Sequence, residues 1–209
     1  MGIDIVALQE PAMNFLGKTI ATRDWIPIYP STHEKEPGKT RSLMLVNASL
    51  PTEGWEQVEF PSGDVTVLRI TGSWGKMTVF NIYNDCLHDR TILELIKYHR
   101  YNPGALLGND DMANAVHVVW VGDFNRHHPA WDRPEDSQLF TREALEAAEA
   151  LIRATAEFGL DMALPAGIPT HQHYVTKKWS MSRMHIFYLI FLYFIWIYLI
   201  KYSCSSPYH

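Results

Sequence analysis

One segment constrains the fold and chemistry of this chain more than any other: an apolar strand that runs directly into Gly122-Asp123-Phe124-Asn125. Because side chains alternate along a strand, Asp123 and Asn125 are expected to face one side while Phe124 turns into the core. A carboxylate and an amide at one sheet edge suit the binding of a metal ion and a phosphate. The alternative is a strand followed by an Asx-type turn, since Asp, Asn and Gly are common turn residues.

The loop after this strand is rich in side chains that carry chemistry. It contains His127, His128, Trp131 and Asp132. Adjacent histidines resemble zinc ligands, but neighbours on an extended chain point to opposite sides, and no cysteine or third spaced histidine completes a set. We therefore interpret the two histidines as residues that shape the loop beside the site.

Composition limits the classes of protein to which the chain can belong. The 209 residues are 47% hydrophobic, enough for one globular domain with a core. The net charge of −5, from 18 basic and 23 acidic residues, argues against a protein that holds DNA through many phosphates. This charge is compatible with a nuclease that makes few contacts to DNA and makes them through a metal ion. Cys86 and Cys204 are too few for a disulfide framework, and the N-terminus has no signal-peptide pattern.

Periodicity predicts five strands and two helices. Short apolar or β-branched runs predict strands over residues 5–8, 43–46, 65–70, 77–82 and 116–121. One helix is predicted over about 89–98. The other is predicted over about 141–158, with Thr141 as its N-cap and Gly159 as its end. Strands with helices between them are consistent with an α/β or α+β fold.

Four segments resemble the endonuclease/exonuclease/phosphatase superfamily, and within it the endonuclease domains of non-LTR (LINE-type) retrotransposons. The closest match is Gly-Asp-Phe-Asn-x-His-His-Pro-x-Trp at residues 122–131, and residues 4–11, 81–85 and 168–171 agree in order and spacing. The resemblance covers residues 3 to 180. It implies an α/β (α+β) fold of two stacked mixed β-sheets flanked by helices, a four-layer α/β/β/α sandwich, here incomplete.

The resemblance also implies a site. Glu10 is the implied direct ligand of Mg²⁺ or Mn²⁺, which prefer carboxylate oxygens, with Asp123 beside it. Asp123 would orient or deprotonate the attacking water, Asn125 would donate to the scissile phosphate, and Tyr83 would stabilise the developing charge. The implied activity is metal-dependent hydrolysis of DNA phosphodiesters. Without the resemblance, Glu10 is typical of solvated surface and Tyr83 of half-buried packing.

Further substrate contacts are implied for His127, His128, Thr170 and His171. For Thr170 and His171 the alternative is a turn bounded by proline. The implied partner is DNA, with no small-molecule cofactor and a nuclear location, and the oligomeric state stays open.

The sequence departs from the family pattern at both ends. Nine residues precede Glu10, where the family places an earlier Asn-bearing strand, and no aspartate follows Asp161, where the family has a Ser-Asp-His segment. We therefore divide the chain into a partial domain at 1–180 and an aberrant hydrophobic tail at 181–209. Because residues that act as a unit lose most activity when one is removed, we expect impaired hydrolysis.

The tail contains an unbroken run of 15 apolar and aromatic residues, Ile186 to Ile200. As a helix it would be about 22 Å long against a hydrocarbon core of about 30 Å. Three interpretations are open: translated non-coding sequence in place of the true C-terminal strands, a membrane anchor through 184–202, or a buried helix. An anchor would make the chain a non-enzymatic, membrane-attached or partner-binding remnant. With a strand missing at each end, we expect unpaired sheet edges.

Overall fold

The computed structural model describes residues 3–19, 22–73, 75–103 and 116–163, and after these only the backbone of four short strands. Twelve strands and two α-helices lie in the described parts of the chain. In order they are β1 Ile5–Gln9, β2 Trp25–Ile28, β3 Ser42–Asn47, β4 Trp55–Val58, β5 Val65–Gly72, β6 Gly75–Tyr83, α1 Arg90–Tyr101, β7 Val116–Asp123, α2 Arg142–Phe158, β8 Asp161–Met162, β9 His171–Gln172, β10 Trp179–Ser180, β11 Met184–Leu189 and β12 Ile197–Lys201.

The strands form two mixed sheets and a separate β9–β10 pair. The larger sheet has the order β4-β5-β6-β7-β11-β8, and the smaller has the order β12-β1-β3-β2. In the larger sheet β6 and β7 run parallel, whereas β5 is antiparallel to β6 and β11 to β7. In the smaller sheet β1 is antiparallel to β3 and parallel to β12. Both sheets are therefore mixed, as the resemblance implies.

The larger sheet is apolar on both faces. One face packs against the smaller sheet through a cluster that includes Ile5, Ala7, Met44, Val46, Met77, Val79, Val119 and Val121. The opposite face is covered by α1 and α2 through a cluster that includes Val67, Phe80, Ile82, Ile92, Leu95, Trp120, Phe124, Ala148 and Leu151. Two stacked mixed sheets with helices on an outer face confirm the predicted fold class.

Local signals placed the five predicted strands and the two helices correctly, which is half of the fourteen described elements. The Thr141 hydroxyl accepts a hydrogen bond from Ala144 N–H at 3.2 Å, and Gly159 ends α2 with a left-handed φ of 63°. The prediction for α1 ends three residues too early. The strands β2 and β4 were missed because both lie at sheet edges: β2 contains Pro27, which breaks strand patterns, and β4 carries exposed polar residues.

The hydrophobic tail corrects two expectations. β11 pairs with β7, and β12 pairs with β1, so these two strands do not have the unpaired edges that were expected. Runs of Ile, Leu, Phe, Tyr and Trp have high strand propensity, and β1 and β7 offer open backbone donors and acceptors. The buried-helix interpretation is therefore wrong for residues 184–189 and 197–201.

None of the helices in the described parts of the chain combines the length and the apolar character that a bilayer crossing requires.

Candidate metal and phosphate site

The candidate residues lie at one edge of the two stacked sheets. β1, β6 and β7 end at this edge, and the antiparallel partners β3 and β5 begin there. Glu10 therefore lies beside Arg41, whose backbone carbonyl accepts its N–H at 2.8 Å. For the same reason Tyr83 lies beside Asp64, whose carbonyl accepts its N–H at 2.8 Å. The edge collects residues that are far apart in the sequence.

Glu10 and Tyr83 are in direct contact. The Tyr83 hydroxyl donates a hydrogen bond to Glu10 Oε1 at 3.1 Å. Glu10 has a left-handed φ of 50°, a conformation that is strained for a residue with a side chain. Burial, reinforced by the charge of Glu10, raises the pKa of Tyr83 well above its usual value. Tyr83 is thus a protonated hydrogen-bond donor at neutral pH.

Asp123 joins this pair from the neighbouring strand. It is the register partner of Tyr83 in the parallel β6–β7 ladder and is fully buried. Val119 and Val121 face the smaller sheet, so by alternation Asp123 faces the same way, towards the side from which Glu10 comes. Phe124 points into the helix-covered core, as predicted.

Asn125 is held in place by hydrogen bonds to Asp123 and to the Asn84 backbone. Its backbone N–H donates to Asp123 Oδ1 at 3.2 Å, and its Nδ2 donates to the Asn84 carbonyl at 2.7 Å. The Asn84 side chain in turn donates to the Phe124 carbonyl at 2.9 Å. Asn125 has a left-handed φ of 51°, which Asn tolerates better than most residues. The predicted Asx-type turn and the predicted site are therefore compatible in one structure.

Gly122 sets the spacing between β6 and β7 at the site. Its φ is 145°, and a Cβ atom placed on it would lie 1.9 Å from the Ile82 carbonyl oxygen. Because that oxygen belongs to the backbone, it cannot move aside at low cost. Glycine is required here if Asp123 is to lie beside Tyr83.

Arg41 is a central residue of the site that sequence reasoning missed. Its Nε and Nη2 donate to the two carboxylate oxygens of Asp64 at 2.7 and 2.8 Å, and its Nη1 donates to Asp85 at 2.5 Å. The guanidinium lies 4.6 Å from the centre of the Tyr83 ring. A hydrogen bond from Leu87 N–H, supported by Arg41, holds the pKa of Asp85 below its usual range. The antiparallel pairing of β1 with β3 would have indicated Arg41, but this pairing could not be inferred from the sequence alone.

A second arginine, Arg126, fastens the loop after β7. Its side chain is 3% exposed. It donates to the backbone carbonyls of Asp85, His88, Asn125 and Ala147 and to the carboxylate of Asp89. Arg126 thereby ties the loops after β6 and β7 to α2, and nothing in its sequence context indicated this role.

The two adjacent histidines have different environments. His127 Nδ1 lies 3.2 Å from Asp132 Oδ2, an oxygen that also accepts the His128 N–H at 2.9 Å. The His128 ring packs on Trp131, with ring centres 5.1 Å apart. Trp131 donates its indole N–H to the Arg126 carbonyl at 3.0 Å. The structure thus contains an Asp–His pair in the loop that follows the candidate site.

A buried group of four polar residues, the polar seam, lies between the sheets just inside the site edge. Asn81 Nδ2 donates to the carbonyls of Leu8 and Leu43 at 3.0 and 2.8 Å, and Asn81 Oδ1 accepts from Gln9. Ser42 Oγ donates to Asn81 O at 2.8 Å and contacts Thr66 Oγ1 at 3.0 Å. The polar seam is therefore Gln9, Ser42, Thr66 and Asn81. It links both sheets next to Glu10.

Two predicted substrate contacts are far along the chain from these residues. His171 begins β9, where it pairs with Ser180, and only its backbone is described. Thr170 lies outside the described residues. Their roles remain predictions.

The described residues contain no group of three or more His, Cys, Asp and Glu side chains that could hold a metal ion. Mg²⁺ commonly binds through one or two carboxylates and keeps several waters. Glu10 and Asp123 supply two carboxylates at one edge: Glu10 contacts Tyr83, and Asp123 is the register partner of Tyr83. This all-oxygen donor set fits Mg²⁺ or Mn²⁺ better than a softer ion.

No protein-family model and no curated protein matches the chain. The endonuclease domain of TRAS1, a telomere-specific non-LTR retrotransposon, is similar in structure, with a TM-score of 0.56 and 14% identity over 88% of this chain and 72% of that one. The AP endonuclease LMAP from Leishmania major has a TM-score of 0.59 and 13% identity over 88% and 69%. These similarities show that the chain shares its fold with both endonucleases.

Proposed function

We propose that this chain is a metal-dependent phosphodiester hydrolase acting on DNA, with Glu10 and Asp123 as ligands of Mg²⁺ or Mn²⁺. The contact of Tyr83 with Glu10, at 3.1 Å, is the observation that carries the proposal, because Tyr83 is also the register partner of Asp123. Tyr83 thus contacts a carboxylate that follows the smaller sheet and is paired in register with an aspartate of the larger sheet. The fold shared with two DNA endonucleases supports this chemistry.

Each residue has a distinct part in the proposed hydrolysis. A bound divalent ion would supply Lewis-acid stabilisation of charge on the phosphate. Tyr83, kept protonated by burial, would donate to a phosphate oxygen as negative charge develops. Asn125, whose amide nitrogen donates to the Asn84 backbone carbonyl, would donate to the scissile phosphate. Asp123 would orient the attacking water.

Slow turnover is part of the proposal. Residues 162–209 contain no aspartate, so they do not provide the Asp–His base that the resemblance implies. His127, held at 3.2 Å by Asp132, is the imidazole of the site's own loop that would take the proton from water. A rate far below that of a complete site is therefore expected.

The test begins with metal binding, which does not depend on turnover. Mn²⁺ affinity should be measured by titration calorimetry for the full chain and for Glu10→Gln and Asp123→Asn. Loss of residues that only support metal ligands typically costs about 10–100-fold in affinity, so loss of a ligand should cost at least about tenfold. Glu53→Gln, at an exposed carboxylate away from the site edge, is the matched control. Unchanged affinity in both site variants would refute the proposal.

The second part of the test is nicking of supercoiled plasmid in Mg²⁺. The full chain should nick slowly, and both Asp123→Asn and His127→Gln should remove that activity. Nicking that survives Asp123→Asn would come from a contaminant or another site and would count against the proposal.

A further inference from the structure

Glu10 has a backbone conformation that its own sequence disfavours. Glu10 and Asn125 are the residues other than glycine with a positive φ in the described parts of the chain. Asn adopts this region more readily than Glu does. Pro11 adds to the cost, because a residue before proline prefers an extended conformation. Such a residue persists only where its surroundings hold it in place, so the contacts around Glu10 have to supply that hold.

The loop that follows Glu10, residues 11–19, is fastened at its far end to Tyr29. The Tyr29 hydroxyl accepts the Thr19 N–H at 2.9 Å. The Lys18 ammonium lies 4.9 Å from the centre of the same ring. The loop therefore depends on the position of Tyr29.

His33 connects Tyr29 to the strand beside Glu10. Its ring stacks on Tyr29, with ring centres 4.1 Å apart and ring planes 22° from parallel. Its Nδ1 lies 2.7 Å from Thr40 Oγ1. Thr40 precedes Arg41, whose carbonyl accepts the Glu10 N–H at 2.8 Å. The contacts thus form a closed path that begins and ends at Glu10.

The His33 side chain is buried and uncharged. The residue is 3% exposed. Burial, together with the positive charge of Lys18, lowers the pKa of His33 below its usual value, so the imidazole is neutral at neutral pH. A residue this deeply buried cannot touch a DNA substrate, and any effect that it has on the site passes through its neighbours.

We propose that His33 is a positioning residue of the site, which fastens the loop after Glu10 and so keeps the Glu10 carboxylate where it binds the metal ion. The inference rests on the proposed function, which gives Glu10 a metal ion to bind. Without the His33 contacts the loop would separate from Thr40. Glu10 would then relax towards the extended conformation that Pro11 favours, and its carboxylate would leave Tyr83.

Four variants of the full chain separate this role from a general loss of stability. His33→Phe keeps an aromatic ring against Tyr29 but removes both ring nitrogens. Thr40→Val removes the hydroxyl partner with almost no change of shape, and it tests the same link if His33→Phe folds poorly. His33→Asn is the conservative variant, because its amide can still bond to Thr40. His99→Phe is the matched control, which replaces another buried imidazole, 1% exposed, on the helix-covered face.

The first measurement is amide hydrogen exchange by NMR in the absence of metal. Two backbone bonds at the site edge have the same length: Glu10 N–H to the Arg41 carbonyl and Tyr83 N–H to the Asp64 carbonyl, both at 2.8 Å. The ratio of their exchange rates reports the loop after Glu10 and cancels a change in global stability.

His33→Phe and Thr40→Val should each speed exchange at Glu10 by about tenfold relative to Tyr83, the effect of losing about one hydrogen bond that holds the loop closed. His33→Asn should bring the ratio back towards the wild-type value. His99→Phe should leave the ratio unchanged, because it weakens both bonds through global unfolding alone.

The second measurement is Mn²⁺ affinity by titration calorimetry. Groups that hold a metal ligand in place typically contribute 10–100-fold to affinity, so His33→Phe should weaken Mn²⁺ binding by about tenfold. His33→Asn should recover part of this loss, and His99→Phe should bind Mn²⁺ as the wild-type chain does.

The outcomes separate the inference from the proposed function. If His33→Phe and Thr40→Val leave the exchange ratio unchanged, or if His99→Phe shifts it equally, the inference is wrong and the proposed function stands. The inference is also wrong if the ratio changes while His33→Phe binds Mn²⁺ as tightly as the wild-type chain. If the ratio changes as expected but the wild-type chain binds no Mn²⁺, His33 holds Glu10 in place and the proposed function is wrong.

Discussion

The two faces of the larger sheet are packed with different kinds of side chains. The face under α1 and α2 is filled with apolar and aromatic side chains, and the buried imidazole of His99 lies among rings. The face towards the smaller sheet is apolar over most of its area but polar at the site end, where the polar seam joins both sheets by hydrogen bonds. Apolar contacts tolerate small shifts, whereas hydrogen bonds fix positions to fractions of an ångström. The difference suggests that the seam holds the two halves of the site in register.

The largest expected effect lies on the helix-covered face and concerns stability alone. Trp120 is fully buried and donates its indole N–H to His99 Nε2 at 3.1 Å. Trp120→Ala should lower the free energy of unfolding by about 4 kcal/mol, because it creates a large cavity. Urea unfolding measures this loss. The Mn²⁺ affinity of the remaining folded protein should be unchanged, and a parallel loss of affinity would mean that the two faces are not independent.

The second-largest expected effect is a pH dependence of the unfolding free energy. It arises from His99 on the same face. Burial lowers the pKa of His99 from 6.5 to about 4. Above pH 6.5 the imidazole is neutral in both states. Between pH 6.5 and 4 the unfolded chain binds a proton that the folded chain does not, so the free energy of unfolding falls as the pH falls, by about 3 kcal/mol in total. Below pH 4 the loss levels off.

His99→Gln provides the matched control for this titration. Its side-chain oxygen can still accept the Trp120 indole N–H but does not titrate. The difference in unfolding free energy between the two proteins, measured by urea titration at several pH values, should change only between pH 6.5 and 4. A constant difference would show that His99 is not buried as a neutral imidazole.

A substitution in the polar seam should cost less stability than Trp120→Ala but should reduce Mn²⁺ affinity more. Asn81→Leu keeps the size of the side chain but removes its hydrogen bonds to the Leu8 and Leu43 carbonyls. We expect a loss of about 2 kcal/mol in unfolding free energy together with a clear loss of Mn²⁺ affinity, since Glu10 follows this part of β1.

Val79→Ala is the matched control for Asn81→Leu. Val79 is two residues earlier on β6 and faces the smaller sheet in the apolar part of the interface. It should cost a comparable amount of stability and leave Mn²⁺ affinity intact. If both variants lose affinity equally, the seam has no special positioning role.

The smallest expected effect tests one hydrogen-bonding group of the seam. Ser42→Ala removes the hydroxyl that donates to the Asn81 carbonyl and contacts Thr66. It should lower the unfolding free energy by about 1 kcal/mol and reduce Mn²⁺ affinity only slightly. A loss as large as that of Asn81→Leu would place the centre of the seam at Ser42.

Sequence patterns predicted the elements of this fold better than the contacts of its site. Alternation placed Asp123 and Phe124 on opposite faces, and capping chemistry located both ends of α2. These are local signals, and they need no knowledge of which strands pair. Arg41 could not be found in this way, because its place beside Glu10 depends on the antiparallel pairing of β1 with β3.

The hydrophobic tail shows what cannot be predicted from composition. Its composition left translated non-coding sequence, a membrane anchor and a buried helix open, because a run of 15 apolar residues has no periodicity from which strand and helix can be told apart. The strands β11 and β12 take their positions from the partners they pair with. Strand pairing is a long-range property that cannot be inferred from composition.

Gly122 gives the candidate site an evolutionary consequence. Any side chain there would collide with the Ile82 backbone, so selection acts on this position through the distance between two strands and without regard to catalysis. Under the proposed function, selection on the next codon, Asp123, is for chemistry. A lineage that gave up hydrolysis but kept the fold would therefore be free to replace the aspartate while retaining the glycine. Across divergent copies of such a gene, a surviving glycine would report a folded protein, and only a surviving aspartate would report a working one.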